Sequence, residues 1–309
     1  MSYEAKMLKD YKMPSRKEVE DALLISLFRR NGVIKEFATG EEIVNELADD
    51  FKLNQKQRSA KLETIYRKEN RLKKSSLWHR LLFRAADSLA NEKFIIRPTQ
   101  TFKLTNKKEW ILSEIGFDKA LRLQKIPLDQ KSFLPIKSYE VEKIVKRLKE
   151  AKRPENYNPF DSEKKSTTIT RETSVRTRGF RQAVVEAYDF KCAICGMKLN
   201  SPDSKLWEVE AAHIVPHCAK GKDDIWNGLS LCRLHHWAFD VGWFTIFDDY
   251  TIRVSSRLYS LPAEFGRMGN HELLKELSIN TSKILLPKIT EVFPHHNAMS
   301  WHRQNIFYE

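Results

Sequence analysis

The stretch that decides the fold of this chain begins at Cys192-Ala-Ile-Cys195, continues through Glu210-Ala-Ala-His213-Ile, and closes with Asn227-Gly-Leu-Ser-Leu-Cys232-Arg-Leu-His235-His236-Trp-Ala-Phe-Asp240. Thiol, imidazole, carboxylate and amide side chains are interleaved in it. Their spacing separates them into two sets. One set suits a structural zinc ion, and the other suits a divalent ion beside an activated water.

The first set comprises two short pairs with the same internal spacing, Cys192 with Cys195 and Cys232 with His235. Tetrahedral zinc takes thiolate and imidazole ligands, usually as two such pairs that the fold brings together. A buried apolar cysteine and a redox dithiol are the alternatives. A thioredoxin-like dithiol needs a helix after Cys192, whereas the predicted helix, 180–188, precedes it. We therefore predict a structural zinc site, and we interpret Cys218 as an ordinary small side chain.

The second set starts at a predicted strand, residues 207–214, which carries His213 near its end. A neutral imidazole there can take a proton from water near pH 7, and a buried structural histidine is the alternative. A polar turn follows, and Asn227 after it can pin the loop by local hydrogen bonds. We interpret His217, within that loop, as a surface histidine that can also reach a phosphate.

The third part of the stretch is a helix that begins near Cys232. On this helix His236 and Asp240 are four residues apart and share a face, whereas His235 points about 100° away. The geometry assigns His235 to zinc and His236 to the second set. The reverse assignment of the two histidines stays open.

Residues 176–246 resemble the HNH nuclease family, also called ββα-metal, and within it the restriction-enzyme branch. The resemblance lies in the strings FRQAVVEAYDFKCAICG, EAAHIVPH and NGLSLCRLHHWAFDVGWFTI. A zinc pair, a histidine, an asparagine and a second histidine follow one another in the family's order. The resemblance implies two strands and a helix around one catalytic ion, and hydrolysis of DNA phosphodiester bonds.

By position, the resemblance implies a general base, a loop-orienting residue and a ligand of the catalytic Mg²⁺ or Mn²⁺, namely His213, Asn227 and His236. Asp240 stands where some members have a further ligand. Ala212 departs from the family, because many relatives have aspartate or histidine there as the first metal ligand. Either Glu210, on the same strand face, substitutes for it, or the ion keeps more water, which Mg²⁺ tolerates. The base deprotonates a water that attacks phosphorus, while the ion neutralises the leaving 3′ oxygen.

The whole chain has 309 residues, a formal net charge of +13 and a pI near 9.4. This length suggests about two domains, and the basic balance makes a polyanion the first partner to consider, with solvated lysines on helix faces as the alternative. No apolar run reaches the roughly 18–20 residues of a membrane span. The charged N-terminus does not suit a signal peptide, so we expect a cytoplasmic protein. Four cysteines in this length do not indicate a disulfide scaffold.

The block from residue 1 to 117 is predicted to be a winged helix. Capping boxes at Ser15-x-x-Glu18 and Thr39-x-x-Glu42 open two apolar helices. A third helix is predicted over about 76–93 from its helical apolar spacing, and residues 94–104 are predicted to form a short hairpin. Three helices followed by a hairpin is the element order of a winged helix.

The segment from Met13 to Gly116 resembles the N-terminal domain of Mrr-type restriction proteins. A domain of this kind presents its third helix to DNA. Arg80 and Arg84 lie on that predicted helix, so we expect them to contact DNA. Winged helices also bind proteins, and that alternative stays open.

Residues 118–175 are predicted to connect this domain to an HNH domain at 176–309. The connector has one charged helix at 138–152 and a flexible polar stretch at 153–174. Four arginines precede or open the HNH domain: Arg171, Arg176, Arg178 and Arg181. They can neutralise DNA phosphates, and a solvated basic helix edge is the alternative.

The sequence thus predicts an α+β protein in which an N-terminal winged helix recognises double-stranded DNA and a zinc-stabilised HNH domain cuts it. Family likeness favours restriction of foreign DNA, with a companion methyltransferase as a further partner. One site per chain must cut two strands, which favours a homodimer. The alternatives are a non-catalytic, zinc-containing DNA-binding regulator, and a nuclease that nicks DNA or requires modified bases.

Overall fold

The computed structural model describes residues 3–37, 42–66, 71–161, 171–202, 206–259 and 283–309. The chain divides into two compact units, Met1–Glu142 and Lys143–Glu309. The sequence-based domain boundaries, 117 and 175, lie on either side of this division. Among the described helices, none combines the length and the apolar character needed to cross a membrane.

The first unit packs helices against a small sheet. Its helices are α1 (Tyr3–Asp10), α2 (Arg16–Arg29), α3 (Glu42–Asp50), α4 (Gln55–Ser59), α5 (Leu77–Asn91), α6 (Pro98–Thr105) and α7 (Glu114–Leu123). Its strands are β1 (Val33–Lys35), β2 (Lys61–Tyr66), β3 (Arg71–Ser76), β4 (Ile95–Ile96) and β5 (Glu109–Leu112). One sheet has the order β1-β5-β4, and β2 with β3 forms a separate antiparallel hairpin.

Helices α2 and α5 pack against each other at the centre of this unit, where Leu23, Leu27, Leu82 and Ala85 are fully buried. The predicted capping box is present at the start of α2, where the Ser15 side chain accepts from the Glu18 N–H. Helix α5 matches the prediction for 76–93, and its Trp78 donates to the Val44 carbonyl. The second predicted box, at Thr39, lies outside the described residues.

Residues 94–104 do not form the predicted hairpin. Strand β4 is very short, and α6 follows at once because Pro98 occupies a first helical position, where its missing N–H costs little. Asn106, at φ 58°, ends the helix in the left-handed conformation. The strand that pairs with β4 is β5, with Ile95 opposite Leu112. The second half of the predicted hairpin is therefore part of α6.

The second unit contains the remaining elements. Helix α8 (Tyr139–Glu150) spans the division between units and matches the predicted charged helix, and α9 (Arg171–Ala187) follows. The later elements are β6 (Val209–His213), β7 (Gly228–Cys232), α10 (Arg233–Asp240), β8 (Phe244–Ile246), β9 (Ile252–Val254) and α11 (His296–Asn305). Strands β6 and β7 form one antiparallel pair, and β8 and β9 form another.

The stretch at 153–174, predicted to be flexible, is only partly described, since residues 162–170 lie outside the described part. Within 153–161 the chain is packed. The ring of Tyr157 lies 5.6 Å from that of Trp226, and Arg153 donates to the Phe293 and Pro294 carbonyls. Residues 171–174 belong to helix α9. The described ends of this stretch are therefore part of the second unit.

Candidate functional site

The hairpin of β6 and β7, with α10 after it, positions the predicted site residues. The register sets His213 opposite Gly228 at one end and Val209 opposite Cys232 at the other. Helix α9 covers the hairpin, and a Cβ at Gly228 would lie 2.4 Å from the Val184 side chain. Glycine thus permits this close packing. The Cys/His set lies at the α10 end, and His213 lies at the other end of the hairpin.

The four predicted zinc ligands lie together: Cys192, Cys195, Cys232 and His235. The His235 Nδ1 atom is 3.0 Å from the Cys232 sulfur and 3.6 Å from the Cys192 sulfur. The Cys195 and Cys232 sulfurs are 4.0 Å apart. Ligand atoms about 2.3 Å from a tetrahedral zinc lie about 3.8 Å from one another. The donor set and its spacing therefore fit zinc.

The contacts within this set shift the pKa values of its thiols in different directions. Hydrogen bonds from Cys195 and Cys232 lower the pKa of the Cys192 thiol, and the neighbouring Cys192 raises the pKa of the Cys232 thiol. Burial would lower the pKa of His235, but hydrogen bonds to Cys192 and Cys195 outweigh it and raise the pKa to about 9. Adjacent thiolates repel one another unless a cation lies between them. These four side chains thus suit a bound cation better than a set of neutral thiols.

His213 is held on two sides. Its ring stacks on Phe180 of α9, with 4.1 Å between centroids, and its Nε2 lies 3.0 Å from the Asp223 Oδ1. Since a carboxylate only accepts hydrogen bonds, Nε2 carries the proton. The basic lone pair of the neutral imidazole is then on Nδ1. The contact with Asp223 thus sets which ring nitrogen of a neutral His213 carries the lone pair.

Asp223 was not predicted as a site residue, because the sequence reads as a polar turn there. Its side chain is 2% exposed, and its Oδ1 also accepts from the Nε2 of His217 at 3.2 Å. Its Oδ2 lies 3.4 Å from Arg176 Nε. Burial would raise the pKa of Asp223, but the hydrogen bonds from His213 and His217 outweigh burial and lower it below the usual range. Asp223 is therefore an anionic anchor for both imidazoles.

Asn227 holds the loop between β6 and β7, as predicted from its sequence position. It is fully buried, and its Oδ1 accepts from the Val215 N–H at 2.8 Å. Its Nδ2 donates to the carbonyls of Val215 and Lys222, each at 3.0 Å. A Cβ at Gly221 would lie 1.7 Å from the Val215 carbonyl. The hydrogen bonds of the Asn227 side-chain amide and the close packing of Gly221 together set the path of the loop that carries Asp223.

His236 lies between Glu210 and Asp240, the two carboxylates predicted as further metal ligands. Its Nδ1 is 3.1 Å from Glu210 Oε2, and its Nε2 is 3.5 Å from Asp240 Oδ2. Ala212, the position where relatives have a ligand, is buried and offers no donor atom. Burial raises the pKa of Asp240, an effect that Glu210 adds to and His236 opposes. The structure therefore groups Glu210 and Asp240 with His236, and groups His213 with Asp223.

The arginines predicted to contact phosphates in the second unit have different surroundings. Arg176 pairs with Asp161 at 3.0 Å in addition to Asp223. Arg178 is buried, at 6% exposure, which suits neither the predicted phosphate contact nor the alternative of a solvated basic edge. Arg181 is exposed on α9.

In the first unit, Arg80 and Arg84 both lie on α5, as predicted. Both contact the same oxygen of Glu4 on α1, with Arg80 Nε at 2.9 Å and Arg84 Nη2 at 2.7 Å. Arg84 is the more exposed of the two, and Glu4 is nearly buried. A carboxylate thus partly neutralises the two cations that were predicted to contact DNA.

Comparison with known proteins gives one family match. Residues 192–246 match a model of the family described as HNH endonuclease. A solved structure, described as a modification dependent TagI restriction endonuclease, aligns with 41% of this chain at 18% identity and a TM-score of 0.29. The chain spans 37% of the length of that protein. Comparison with curated proteins gives no match.

Proposed function

We propose that this chain is a metal-dependent DNA endonuclease that hydrolyses phosphodiester bonds. One observation carries the proposal. Within the segment that matches the HNH endonuclease family, one histidine contacts a buried carboxylate and a second histidine lies between two carboxylates, all on one hairpin and the helix after it. A zinc scaffold alone does not require these side chains.

His213 acts as the general base in the proposed mechanism. Its Nε2–H donates to Asp223, and its Nδ1 lone pair takes a proton from water as the water oxygen attacks phosphorus. Asp223 keeps the tautomer and stabilises the imidazolium that forms. Asn227 holds the loop that positions Asp223. The bond from phosphorus to the leaving 3′ oxygen breaks as the new bond forms.

His236 would hold the catalytic Mg²⁺ or Mn²⁺ together with Glu210 or Asp240, because the two carboxylates face different nitrogens of its ring and an ion binds at one of them. Both carboxylates are about half exposed, which leaves room for the several waters that Mg²⁺ retains. When bound, such an ion supplies charge stabilisation for the leaving oxygen. Cys192, Cys195, Cys232 and His235 would hold the structural Zn²⁺ that fixes the start of α10.

The first unit is proposed to bind DNA as a winged helix. Its order of α2, β1, α3, α5, β4 and β5, with β5 between β1 and β4, supports this proposal. Arg80 and Arg84 on α5, with Arg181 of the second unit, are the proposed phosphate contacts. Helix α6 lies between β4 and β5, where the sequence predicted a simple wing.

Restriction of foreign DNA is the proposed biological role. That role would place the protein in the cytoplasm and pair it with a methyltransferase that protects host DNA. Two chains would supply the two active sites that a double-strand break needs. Recognition of modified bases, and nicking of one strand, are outcomes that the following experiment separates.

The experiment is cleavage of supercoiled plasmid and of differently methylated genomic DNAs with Mg²⁺ or Mn²⁺, followed by sequencing of the ends. We expect linear or nicked products from the wild type and none from His213→Ala. His296→Ala, which changes an exposed histidine outside the site, is the control and should cut normally. DNA binding without cleavage by the wild type would favour the non-catalytic regulator. Undiminished cutting by His213→Ala would remove His213 as the base.

A further inference from the structure

We infer that His213, His217 and Asp223 form a second metal site, which takes a transition-metal ion such as Zn²⁺ and switches the nuclease off. The metal site itself is independent of the proposed function. Only the switching rests on that function, because inhibition presupposes that His213 is the general base.

The three side chains already bring their donor atoms together. The Nε2 atoms of His213 and His217 lie 3.0 and 3.2 Å from the same Asp223 Oδ1. One ligand atom from each residue lies within 4.8 Å of the other two. Ligands about 2.0–2.1 Å from a common ion lie about 2.8–3.4 Å apart at right or tetrahedral angles. The side chains therefore need only small movements to share an ion.

Two of the three ligands are preorganised, and the third provides access. Asp223 is 2% exposed, with its Oδ2 bound by Arg176, so Oδ1 is the oxygen directed at the imidazoles. Phe180 fixes the ring plane of His213 by stacking. His217 is 44% exposed, so an ion can enter from its side. Two ligands held in place and a third that is exposed give the site both its ligand geometry and an entry path for the ion.

The chemistry of the donors selects the class of ion. Two imidazole nitrogens and one carboxylate suit borderline ions such as Zn²⁺, Co²⁺ or Ni²⁺, whereas Mg²⁺ prefers oxygen ligands. Arg176 beside Asp223 lowers the local negative charge, which further disfavours an ion that binds by charge alone. The site should therefore bind Zn²⁺ in the presence of excess Mg²⁺.

Metal binding here would remove the basic atom of His213. Without the ion, Nε2 carries the proton and Nδ1 carries the lone pair. With an ion on Nε2, the proton of the neutral imidazole moves through solvent to Nδ1, and no proton is lost overall. Nδ1–H cannot accept a proton from water. The contact that prepares His213 as a base thus also makes it sensitive to zinc.

The test measures zinc binding by the full-length protein, with its structural zinc retained, in excess Mg²⁺. Equilibrium dialysis against increasing free Zn²⁺, followed by elemental analysis, gives zinc per chain and its affinity. We expect wild type to bind one more zinc per chain than His217→Ala, or to bind it about tenfold or more tightly. His217→Gln repeats the test in case the alanine variant misfolds, and His296→Ala should bind as wild type does.

A second arm measures plasmid cleavage at each zinc concentration, with every protein compared to its own rate without added zinc. Inhibition of the wild type should follow occupancy of the extra zinc, and His217→Ala should need about tenfold or more zinc. Equal zinc binding by wild type and both His217 variants would overturn the site. Extra zinc bound with no loss of cleavage would overturn the switch. Extra zinc bound by a protein that never cleaves DNA would overturn the nuclease proposal and leave the site standing.

Discussion

At the scale of single residues, Asp223 connects two imidazoles and a guanidinium of the candidate site. One oxygen accepts from two imidazoles, and the other lies beside a guanidinium. Removing such a carboxylate from water is costly unless its partners replace the lost hydration. Here three side chains do so. Asp223 therefore fixes the proton positions of both imidazoles as long as no ion takes the place of those protons.

Replacing Asp223 by asparagine should lower kcat for DNA cleavage by about 100-fold or more, with little change in DNA affinity. An amide presents an N–H as readily as a carbonyl, so it no longer enforces the proton on Nε2 of His213. Asp224→Asn makes the same charge change one residue away, at a side chain that contacts Tyr157. Its kcat should stay close to that of wild type. Equal losses from the two variants would mean that general loop charge, and not the His213 contact, matters.

His302 on α11 gives the second unit a pH dependence. Burial lowers its pKa to about 4, against the opposing effect of its hydrogen bond to the Phe239 carbonyl. The unfolded chain, at about 6.5, binds a proton first as pH falls. The contribution of neutral His302 to the free energy of unfolding is therefore fully present above about pH 6.5. It falls by about 3 kcal/mol as the pH drops towards 4.

Thermal unfolding of wild type and His302→Gln across pH 4–7 checks this expectation. The glutamine does not titrate and still offers a donor and an acceptor, so its Tm should vary less with pH than that of wild type. His296→Ala, at an exposed position on the same helix, should retain the wild-type slope. Parallel slopes for wild type and His302→Gln would show that another group governs the acid limb.

At the scale of elements, the β6–β7 hairpin and α10 bring ligands distant in sequence into contact. Cys192 precedes the hairpin, and its neighbour Ala193 donates a backbone hydrogen bond of 2.7 Å to Ser230 in β7. This bond places the first Cys pair beside the second. The Cys/His set therefore joins the 192–195 segment to the end of β7 and the start of α10, and the stability of this junction should depend on a bound ion.

Replacing Cys195 by serine should release zinc and lower the Tm of the second unit, because binding of a structural zinc contributes about 10 kcal/mol or more to folding. Cys218→Ser changes an exposed cysteine outside the set and serves as the control. Metal content by elemental analysis and Tm by calorimetry report the result. A Cys195→Ser protein with unchanged zinc and unchanged Tm would contradict the assignment of this ligand.

Local spacing explains which parts of the site the sequence could predict. The Cys pairs and the His236–Asp240 pair are short-range patterns, so a turn or a helix fixes their geometry. Asp223 reaches His213 only through the path of the loop that Asn227 holds. That path depends on the packing of Gly221 against Val215, which no spacing rule encodes. A carboxylate in the loop between the predicted base and the predicted asparagine was the available signal.

Local signals were also decisive where a prediction failed. The apolar stretch at 94–104 alternates like a hairpin, but Pro98 begins a helix and Asn106 ends it. The hairpin of β2 and β3 lies in a stretch rich in basic residues, and no strand was predicted there. Helices with apolar periodicity, such as α5, were predicted well because burial and periodicity agree.

At the scale of the whole molecule, several of the basic side chains behind the net charge of +13 are paired with carboxylates. Arg80 and Arg84 share Glu4, and Arg176 shares Asp161 and Asp223. Arg84 and Arg176 are each about half exposed, and a guanidinium has five N–H donors, so each can add a phosphate contact while it keeps its carboxylate partner. The acidic partners then hold the arginines in position without preventing phosphate contacts.

The double variant Arg80→Ala, Arg84→Ala should therefore weaken DNA binding by the full chain and reduce its salt dependence. Each lost phosphate contact lowers the slope of log K against log salt concentration by about 0.9 for duplex DNA. Glu4→Gln should have the opposite effect, with modestly tighter binding, because it frees both guanidinium groups. Arg122→Ala removes an exposed cation from α7 of the same unit and is the matched control. Fluorescence anisotropy with a labelled duplex at several salt concentrations gives both affinity and slope. If the double variant and the control have the same slope as wild type, α5 does not contact DNA, and the first unit is better interpreted as a protein-binding domain.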